Sequence, residues 1–358
     1  MSKRDQQHEE NQGPTANASK RRKVQYEDED SQAKELSHDN YTVGWICALY
    51  LEMAAAKAML DEIHDSLPVD PKDDNAYTLG RIGPHNVVIA CLPSGVYGTT
   101  SAAIVATQML SSFRSIRFGL MVGIGGGVPS KDVDIRLGDV VVSNPTTKFG
   151  GVVQYDYGKT VRNGRFESTG TLNKPPLVLL NAVTNLRADH ILENSKIPTY
   201  LSQVIAKYPA TRSKFAHYGQ QQDRLFQAEH DHIGSGNTCD QCDTNKLVDR
   251  PARDTDNPIL HYGLIASGNQ VMKHGRTRDR LAQESNILCF EMEAAGLMDK
   301  FPCLVIRGIC DYADSHKNKQ WQSYAAATAA AYAKELLDVM PAAQVISTVK
   351  ATVTIEEG

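Results

Sequence analysis

The chain has 358 residues, of which 41% are hydrophobic and 22% are charged, and its formal net charge is −4. This composition is typical of a globular protein with enough apolar material for one large core. A charge near neutral argues against a protein that coats nucleic acid, and no apolar run approaches the ~20 residues that span a bilayer. We therefore expect neither a nucleic-acid partner nor a membrane.

The first 40 residues are polar and lack the aliphatic periodicity of a folded segment, which predicts a disordered tail. They show no apolar signal-peptide core, and the seven cysteines, mostly inside apolar runs, are typical of a reducing compartment. These features predict a cytoplasmic protein. A basic cluster in the tail resembles a nuclear-localisation signal, although a solvated charge run is the alternative. Its residues are Lys20, Arg21, Arg22 and Lys23.

The folded part is expected to run from residue 41 to residue 340 and alternates short apolar runs with helical patterns. Several of these runs are rich in β-branched residues, as in parallel strands buried on both faces. The alternation predicts an α/β domain with helices on both sides of a sheet. Strands are predicted over residues 43–49, 87–92, 118–124, 139–143, 262–267, 287–290 and 301–309, and helices over 51–62, 97–110, 177–194 and 321–337.

Residues 195–258 are polar and irregular, which predicts an insertion in the α/β domain. Residues 341–358 are expected to form a peripheral tail. The insertion contains His230 and His232 upstream of Cys239 and Cys242. A Cys-x-x-Cys pair with histidines can hold a structural zinc ion. The spacing is not that of a standard zinc finger, so we predict no metal and keep His232, Cys239 and Cys242 as the alternative ligand set.

Two segments end an apolar run in carboxylates. One segment carries Glu291 and Glu293 after Phe290, and the other carries Asp311 and Asp314 after a run that ends at residue 309. Ligands of α/β sheets bind at the carboxyl ends of the strands, so these acids lie where chemistry is expected. Solvent-facing strand ends and helix caps are the alternative interpretation.

Together the two segments resemble the nucleoside phosphorylase superfamily, and more closely its hydrolytic branch, typified by methylthioadenosine/S-adenosylhomocysteine nucleosidase. The fungal nucleoside-phosphorylase-like proteins are closer still, because their pattern matches YTVGWICA from Tyr41, IASGNQVM from Ile265 and DYADSHKNK from Asp311. The resemblance covers residues 41–340. It implies a three-layer α/β/α phosphorylase-like fold with a central mixed sheet, a purine nucleoside or nucleotide substrate, no cofactor, and a homo-oligomer.

The implied reaction breaks a purine N-ribosidic bond. It requires an acid that protonates the departing purine, a group that binds the sugar, and a nucleophile. The resemblance implies that Asp311 protonates or hydrogen-bonds N7, that Glu293 binds the ribose hydroxyls, and that Glu52 activates water. Asp311 must then be protonated, which burial beside apolar residues such as Ile309 favours. A solvent-facing position on a helix is the alternative for Glu52.

Acidic, apolar and glycine residues complete the predicted site. Glu291 is expected to support its neighbours and Asp314 to cap the following helix. The glycine run at residues 123–127 does not match the G-x-G-x-x-G pattern of dinucleotide-binding proteins, because Val128 stands where the third glycine would be. The resemblance assigns Val271, Met272 and Phe290 to the base, Met292 to the ribose, and Gly123, Gly125 and Gly126 to a glycine loop near the nucleophile; for the methionines, simple core packing is the alternative.

Phosphorylases hold phosphate with an arginine in the region between Trp45 and Ala56, and this chain has none there. Hydrolysis is therefore favoured over phosphorolysis. Two alternatives stay open. One is a phosphorylase that takes phosphate from Arg81 or Arg136, and the other is a nucleotide-binding sensor without turnover.

A cationic cluster follows the base-binding segment, and further lysines follow Asp311. Free nucleosides need no such charges, whereas the phosphates of ATP would. The predicted phosphate contacts are Lys273, Arg276, Arg278 and Lys317. A solvated helix start with local ion pairs is the alternative.

Overall fold

The structure is a computed structural model that describes residues 36–68, 70–164, 166–234 and 238–352. The predicted tail lies almost entirely outside these residues, as does its basic cluster, and nuclear import stays a prediction. Ordered structure begins slightly before residue 41. His38–Asn40 forms one turn of 3-10 helix, and the His38 ring lies 5.0 Å from the ring of Phe113.

The described strands, numbered in chain order, are β1 (Val43–Cys47), β2 (Glu62–Ile63), β3 (Tyr77–Ile82), β4 (His85–Cys91), β5 (Phe118–Gly127), β6 (Val140–Ser143), β7 (Val152–Gln154), β8 (Gly158–Thr160), β9 (Phe166–Ser168), β10 (Leu260–Ser267), β11 (Ile287–Glu291) and β12 (Cys303–Asp311). The described α-helices are α1 (Tyr50–Ala58), α2 (Thr99–Ser112), α3 (Leu177–Leu192), α4 (Ile197–Lys207), α5 (Arg212–Phe215), α6 (Gly275–Ser285), α7 (Gln322–Asp338) and α8 (Ala342–Ser347).

The central sheet is mixed and runs in the order β11-β10-β6-β12-β5-β1-β4-β3-β2, with β7 beside β10. Strands β4, β1, β5 and β12 are parallel neighbours, whereas β6 is antiparallel to β12. Strand β11 pairs with β10 and also with β5, so that half of the sheet closes on itself. Helices cover this sheet, which confirms the predicted α/β class.

Helix α7 packs directly on β12 and β5, with α1 and α4 against its other sides. A Cβ atom on Gly308 of β12 would lie 1.8 Å from the Ala325 carbonyl oxygen, so the helix backbone touches the strand. Every residue from Tyr324 to Leu337 is buried. The sheet and the neighbouring helices therefore enclose α7 all round.

Two expectations about secondary structure are wrong. Gly125, Gly126 and Gly127 belong to β5 and not to a loop, because β11 and β12 pair with them. Residues 197–207 form helix α4 instead of irregular insertion, and its buried face includes Tyr200 and Leu201.

Residues 342–352 pack on the domain and do not form the expected peripheral tail. Helix α8 buries Val345, and the Ala351 N–H donates to the Ile116 carbonyl at 2.9 Å. The Arg117 guanidinium also donates to the Thr348 carbonyl at 2.6 Å. These contacts tie the segment to the loop before β5. Among the described residues, no helix is both long enough and apolar enough to cross a membrane.

Candidate active site

A cavity of about 180 Å³ opens where β5, β11 and β12 end, at the carboxyl edge of the parallel strands. The structure brings most of the predicted site residues together there. Those in its lining are Glu52, Gly125, Gly126, Val271, Met272, Phe290, Met292, Glu293, Asp311 and Lys317. The lining also contains Tyr97, Gln270, Cys310 and Gln322, which the sequence patterns did not single out.

Glu52 lies in the first turn of α1 and is buried, not solvent-facing. Its Oε2 accepts hydrogen bonds from the N–H groups of Ala48 and Leu49 at 2.7 and 2.9 Å, and its Oε1 accepts from the Ile124 N–H at 2.8 Å. Burial raises the pKa of Glu52, although Arg307 and these N–H groups oppose the shift. The carboxylate is thereby held in one place and made more basic.

Arg307 is the main site residue that sequence reasoning missed. It lies in β12 and is 1% exposed, and its Nη2 donates to Glu291 and lies 3.4 Å from Glu293 Oε2. Burial lowers the pKa of Arg307, but the surrounding glutamates raise it by more. A charged residue inside an apolar strand was the available signal, since a buried charge needs partners.

Glu291 supports its neighbours, as expected. Its carboxylate accepts from the backbone N–H groups of Glu293 and Ala294, at 3.1 and 3.0 Å, as well as from Arg307. These bonds fix the turn that follows β11. This turn sets the direction of the Glu293 side chain.

Glu293 is buried, and its pKa is raised to about 8. Burial is the largest cause, Arg307 opposes it, and repulsion from Glu291 and Glu52 adds to it. Near neutral pH the group therefore holds a proton much of the time. A protonated carboxyl both donates and accepts, which suits a pair of neighbouring hydroxyl groups.

Asp311 is the last residue of β12 and is paired with a cation. Its Oδ1 accepts from the Ala313 N–H at 2.8 Å and lies 3.0 Å from Lys317 Nζ, while Oδ2 lies 3.2 Å from Cys310 Sγ. Burial lowers the pKa of Lys317, but Asp311 and its neighbours raise it by more. The sequence indicated burial beside apolar residues such as Ile309, but not the lysine that faces this carboxyl.

The expected phosphate contacts are mostly not in the cavity. Arg278 is buried and donates to the Tyr312 carbonyl and to Asp279, both at 2.7 Å, so it fixes the loop after β12. Lys273 and Arg276 are exposed and lie outside the lining. Of the four predicted residues, Lys317 alone faces the cavity.

Three other predicted residues also lie apart from the cavity. Asp314 caps no helix; its carboxylate accepts from the His316 N–H at 2.9 Å and lies 3.6 Å from Arg278. Arg81 pairs with Glu62, 3.2 Å away at the sheet edge. Arg136 is bound to Asp134 at 2.8 Å. The described positions of the two arginines therefore give no support to a phosphate site.

Gly123 lies behind the cavity wall. A Cβ atom there would come within 2.5 Å of both Arg307 Nη1 and Glu52 Oε1. The absence of a side chain thus makes room for the buried charges. Gly123 therefore lies next to Glu52, the residue expected to activate water.

A larger cleft of about 1060 Å³ adjoins the cavity and shares Gln270 and Met272 with it. Its lining contains neither Glu52 nor Glu293 nor Asp311. We place the candidate active site in the smaller cavity, because buried titratable groups with shifted pKa values mark functional sites.

The model of the Phosphorylase superfamily matches residues 42–340, and this chain belongs to that superfamily. Solved structures agree on the fold. A futalosine hydrolase of Helicobacter pylori superposes with a TM-score of 0.51 at 18% identity, covering 84% of this chain and 99% of its own. A 5'-methylthioadenosine/S-adenosylhomocysteine nucleosidase of Neisseria meningitidis, in complex with methylthio-immucillin-A, gives 0.52 at 17%, covering 83% and 98%.

Three relatives are informative. A nucleotide-binding leucine-rich repeat-like protein of Hyaloscypha variabilis is 50% identical over 85% of this chain and 30% of its own length. An ATP nucleosidase of Escherichia coli is 25% identical over 80% and 48%. A 5'-methylthioadenosine/S-adenosylhomocysteine nucleosidase of Mycobacterium bovis is 24% identical over 84% and 97%. The chain thus spans less than half the length of the first two relatives.

Proposed function

We propose that this chain is an N-ribohydrolase that releases the free purine base from an adenosine-type nucleoside or from ATP. The observation that carries the proposal is the meeting of Glu52, Glu293 and Asp311 around one small cavity at the strand ends. Two relatives with named activities, an ATP nucleosidase and a methylthioadenosine/S-adenosylhomocysteine nucleosidase, support it.

Each carboxyl has a distinct part in the proposed reaction. Glu52, held by three backbone N–H groups, takes a proton from the water that attacks C1′ of the ribose. Glu293 binds the ribose hydroxyls, since its protonated carboxyl can donate to one hydroxyl and accept from the other. The C1′–N9 bond breaks, and the base leaves with its electron pair.

The pair of Asp311 and Lys317 serves the departing base. Asp311 Oδ1 is engaged by Lys317 and the Ala313 N–H, whereas Oδ2 has the Cys310 thiol at 3.2 Å, so Oδ2 is the less engaged oxygen and faces N7 of the purine. A proton shared within this pair neutralises the charge that moves onto the base. The apolar side chains of Val271, Met272 and Phe290 supply the walls against the ring.

The charges of the cavity favour water over phosphate as the nucleophile. Arg307 is already engaged by Glu291 and Glu293, and Lys317 is engaged by Asp311. A phosphate dianion beside Glu52 and Glu293 would meet two carboxyl groups without a free cation among the described lining residues. This supports hydrolysis.

Nucleoside and nucleotide substrates make different demands on the same site. The base and ribose positions need no further cation, which supports an adenosine-type nucleoside. The exposed Lys273 follows Met272 of the cavity wall directly, and the exposed Arg276 lies in the first turn of α6. Both are available to phosphates that extend into solvent. The named activity of the Escherichia coli relative favours ATP.

Chromatography of released base in phosphate-free buffer tests the proposal, with adenosine, inosine, guanosine, AMP and ATP side by side. We expect free purine from the wild type and a large loss with Glu52→Gln. Base that appears only after phosphate is added would establish a phosphorylase. Tight nucleotide binding without any base release would favour the sensor alternative. A Lys273→Ala/Arg276→Ala double variant that lowers kcat/KM for ATP but not for adenosine would assign phosphate recognition to those two residues.

A further inference from the structure

Two thiols and three imidazoles gather outside the cavity. His230, His232, Cys239 and Cys242 come from the insertion, and His316 comes from the loop after β12. Their donor atoms form two sets, each with all atoms within 4.8 Å of one another: His232 with both cysteines, and Cys242 with the other two histidines. Because Cys242 belongs to both sets, the two sets lie side by side and share its sulfur atom.

His316 is the least satisfied member of this group. Its side chain is 5% exposed, and neither of its ring nitrogens has a hydrogen-bond partner among the described residues. The ring is stacked on Phe226 with a centroid distance of 4.1 Å, which fixes its plane. A buried polar group without a partner costs free energy, and a bound ion would remove that cost.

The surroundings of two histidines resemble the outer shell of a metal site. A ligating histidine usually directs its other ring nitrogen to a carboxylate or a backbone carbonyl. His316 Nδ1 lies 3.7 Å from Asp314, which leaves Nε2 for an ion. His232 Nε2 lies 2.9 Å from the Thr238 carbonyl, which leaves Nδ1.

The two cysteines are buried and free. A turn closed by the Cys242 N–H and the Cys239 carbonyl at 3.2 Å brings their sulfur atoms to the same side. Thiolate and imidazole ligands in a set of four are those of a closed structural zinc site.

We propose that this chain binds one structural Zn²⁺ ion through Cys239, Cys242, His232 and His316. Two thiolates would balance the charge of the ion. The site joins the insertion to the loop that follows Asp311 and carries Lys317, alongside a hydrogen bond of 2.9 Å from the His232 N–H to Ser315 Oγ. The ion would therefore hold that loop in place without touching the substrate.

Metal analysis of the full chain, purified without chelator, tests the stoichiometry. We expect about one zinc ion per chain, since structural sites of this type are closed by four protein ligands. Cys242→Ser is expected to lose it, and Cys91→Ser, a free thiol outside the group, to retain it. Protein without zinc, whose Cys239 and Cys242 react with a thiol reagent equally before and after chelator, would overturn the proposal. A disulfide between the two would also overturn it.

Cobalt replacement tests the ligand set without depending on turnover. Wild-type protein loaded with Co²⁺ is expected to show thiolate-to-metal charge transfer and the intense visible bands of a tetrahedral site. His316→Ala should weaken cobalt binding by roughly tenfold or more. His230→Ala is the matched control and should keep both the spectrum and the affinity. The opposite pattern would overturn the assignment of His316. Because no substrate is present, the result is independent of the proposed N-ribohydrolase activity.

Discussion

At the scale of single residues, the site is dominated by three carboxyl groups around one guanidinium. Glu52, Glu291 and Glu293 all act on Arg307. Three carboxylates and one guanidinium would leave two uncompensated negative charges in a buried space. Holding a proton is the less costly state, and we expect Glu293 to hold it because burial raises the pKa of this group to about 8.

This proton predicts how stability depends on pH. Between pH 4.5, the ordinary pKa of a glutamate, and about pH 8, the folded chain binds more protons at Glu293 than the unfolded chain does. The contribution of this group to the free energy of unfolding therefore falls as pH rises through that interval. Glu293→Gln should flatten the fall, as measured by urea unfolding at several pH values. Equal slopes in both proteins would contradict the raised pKa.

A second prediction concerns the departing base. Asp311→Asn should lower kcat by about a hundredfold to ten-thousandfold, because the amide cannot share a proton with the purine as the carboxyl does. The dissociation constant of an unreactive adenosine analogue should change little, as calorimetry would measure it. A loss of binding as large as the loss of rate would contradict the leaving-group role.

At the scale of elements, the glycines of β5 let charged side chains and neighbouring strands approach the backbone. Cβ atoms on Gly125 and Gly126 would lie 2.4 Å from Cys289 Sγ and 2.7 Å from Asp311 Oδ1. The glycine run thus allows β11 and β12 to close around the cavity. Gly125 and Gly126 also line the cavity.

Gly123→Ala tests this reading of β5. The new methyl group would displace Arg307 and Glu52, so we expect a clear fall in kcat and a loss of about 1–3 kcal/mol in the free energy of unfolding. Gly263→Ala in β10 is the control, because its Cβ would meet the flexible end of Leu288. Similar effects of the two substitutions on kcat would show that the space at Gly123 has no special importance.

At the scale of the whole molecule, the structure shows one chain, and its assembly stays a prediction. Helix α3 exposes large apolar side chains at both ends, with Leu177 65% and Ile191 85% exposed. Exposed apolar groups of this kind favour association. Light scattering should give the mass of two or more chains of 39.3 kDa each. The mass of a single chain at assay concentration would contradict the homo-oligomer.

The sequence by itself determined the class of the fold and the identity of most residues around the cavity. Buried strands are continuous apolar runs, and their carboxyl ends carry the ligand groups, so β1, β5 and β12 were predictable with Glu52 and Asp311 beside them. The antiparallel strands β2 and β3 were not predicted. Their residues range from buried Leu79 and Ile82 to the exposed pair of β2, and the pairing of β3 with β4 is decided by tertiary contacts.

Only the tertiary structure decided which charges meet. Arg307 and Glu52 are 255 positions apart, and Lys317 and Arg278 look alike as cations, yet one faces Asp311 and the other fixes a loop. Hydrophobic periodicity indicates which residues of one element are buried. It does not indicate which elements pair with each other, as β11 pairs with β5. Folding also brings His316 close to the cysteines of the insertion. Such long-range contacts leave no local pattern in the sequence, so the sequence alone does not reveal them.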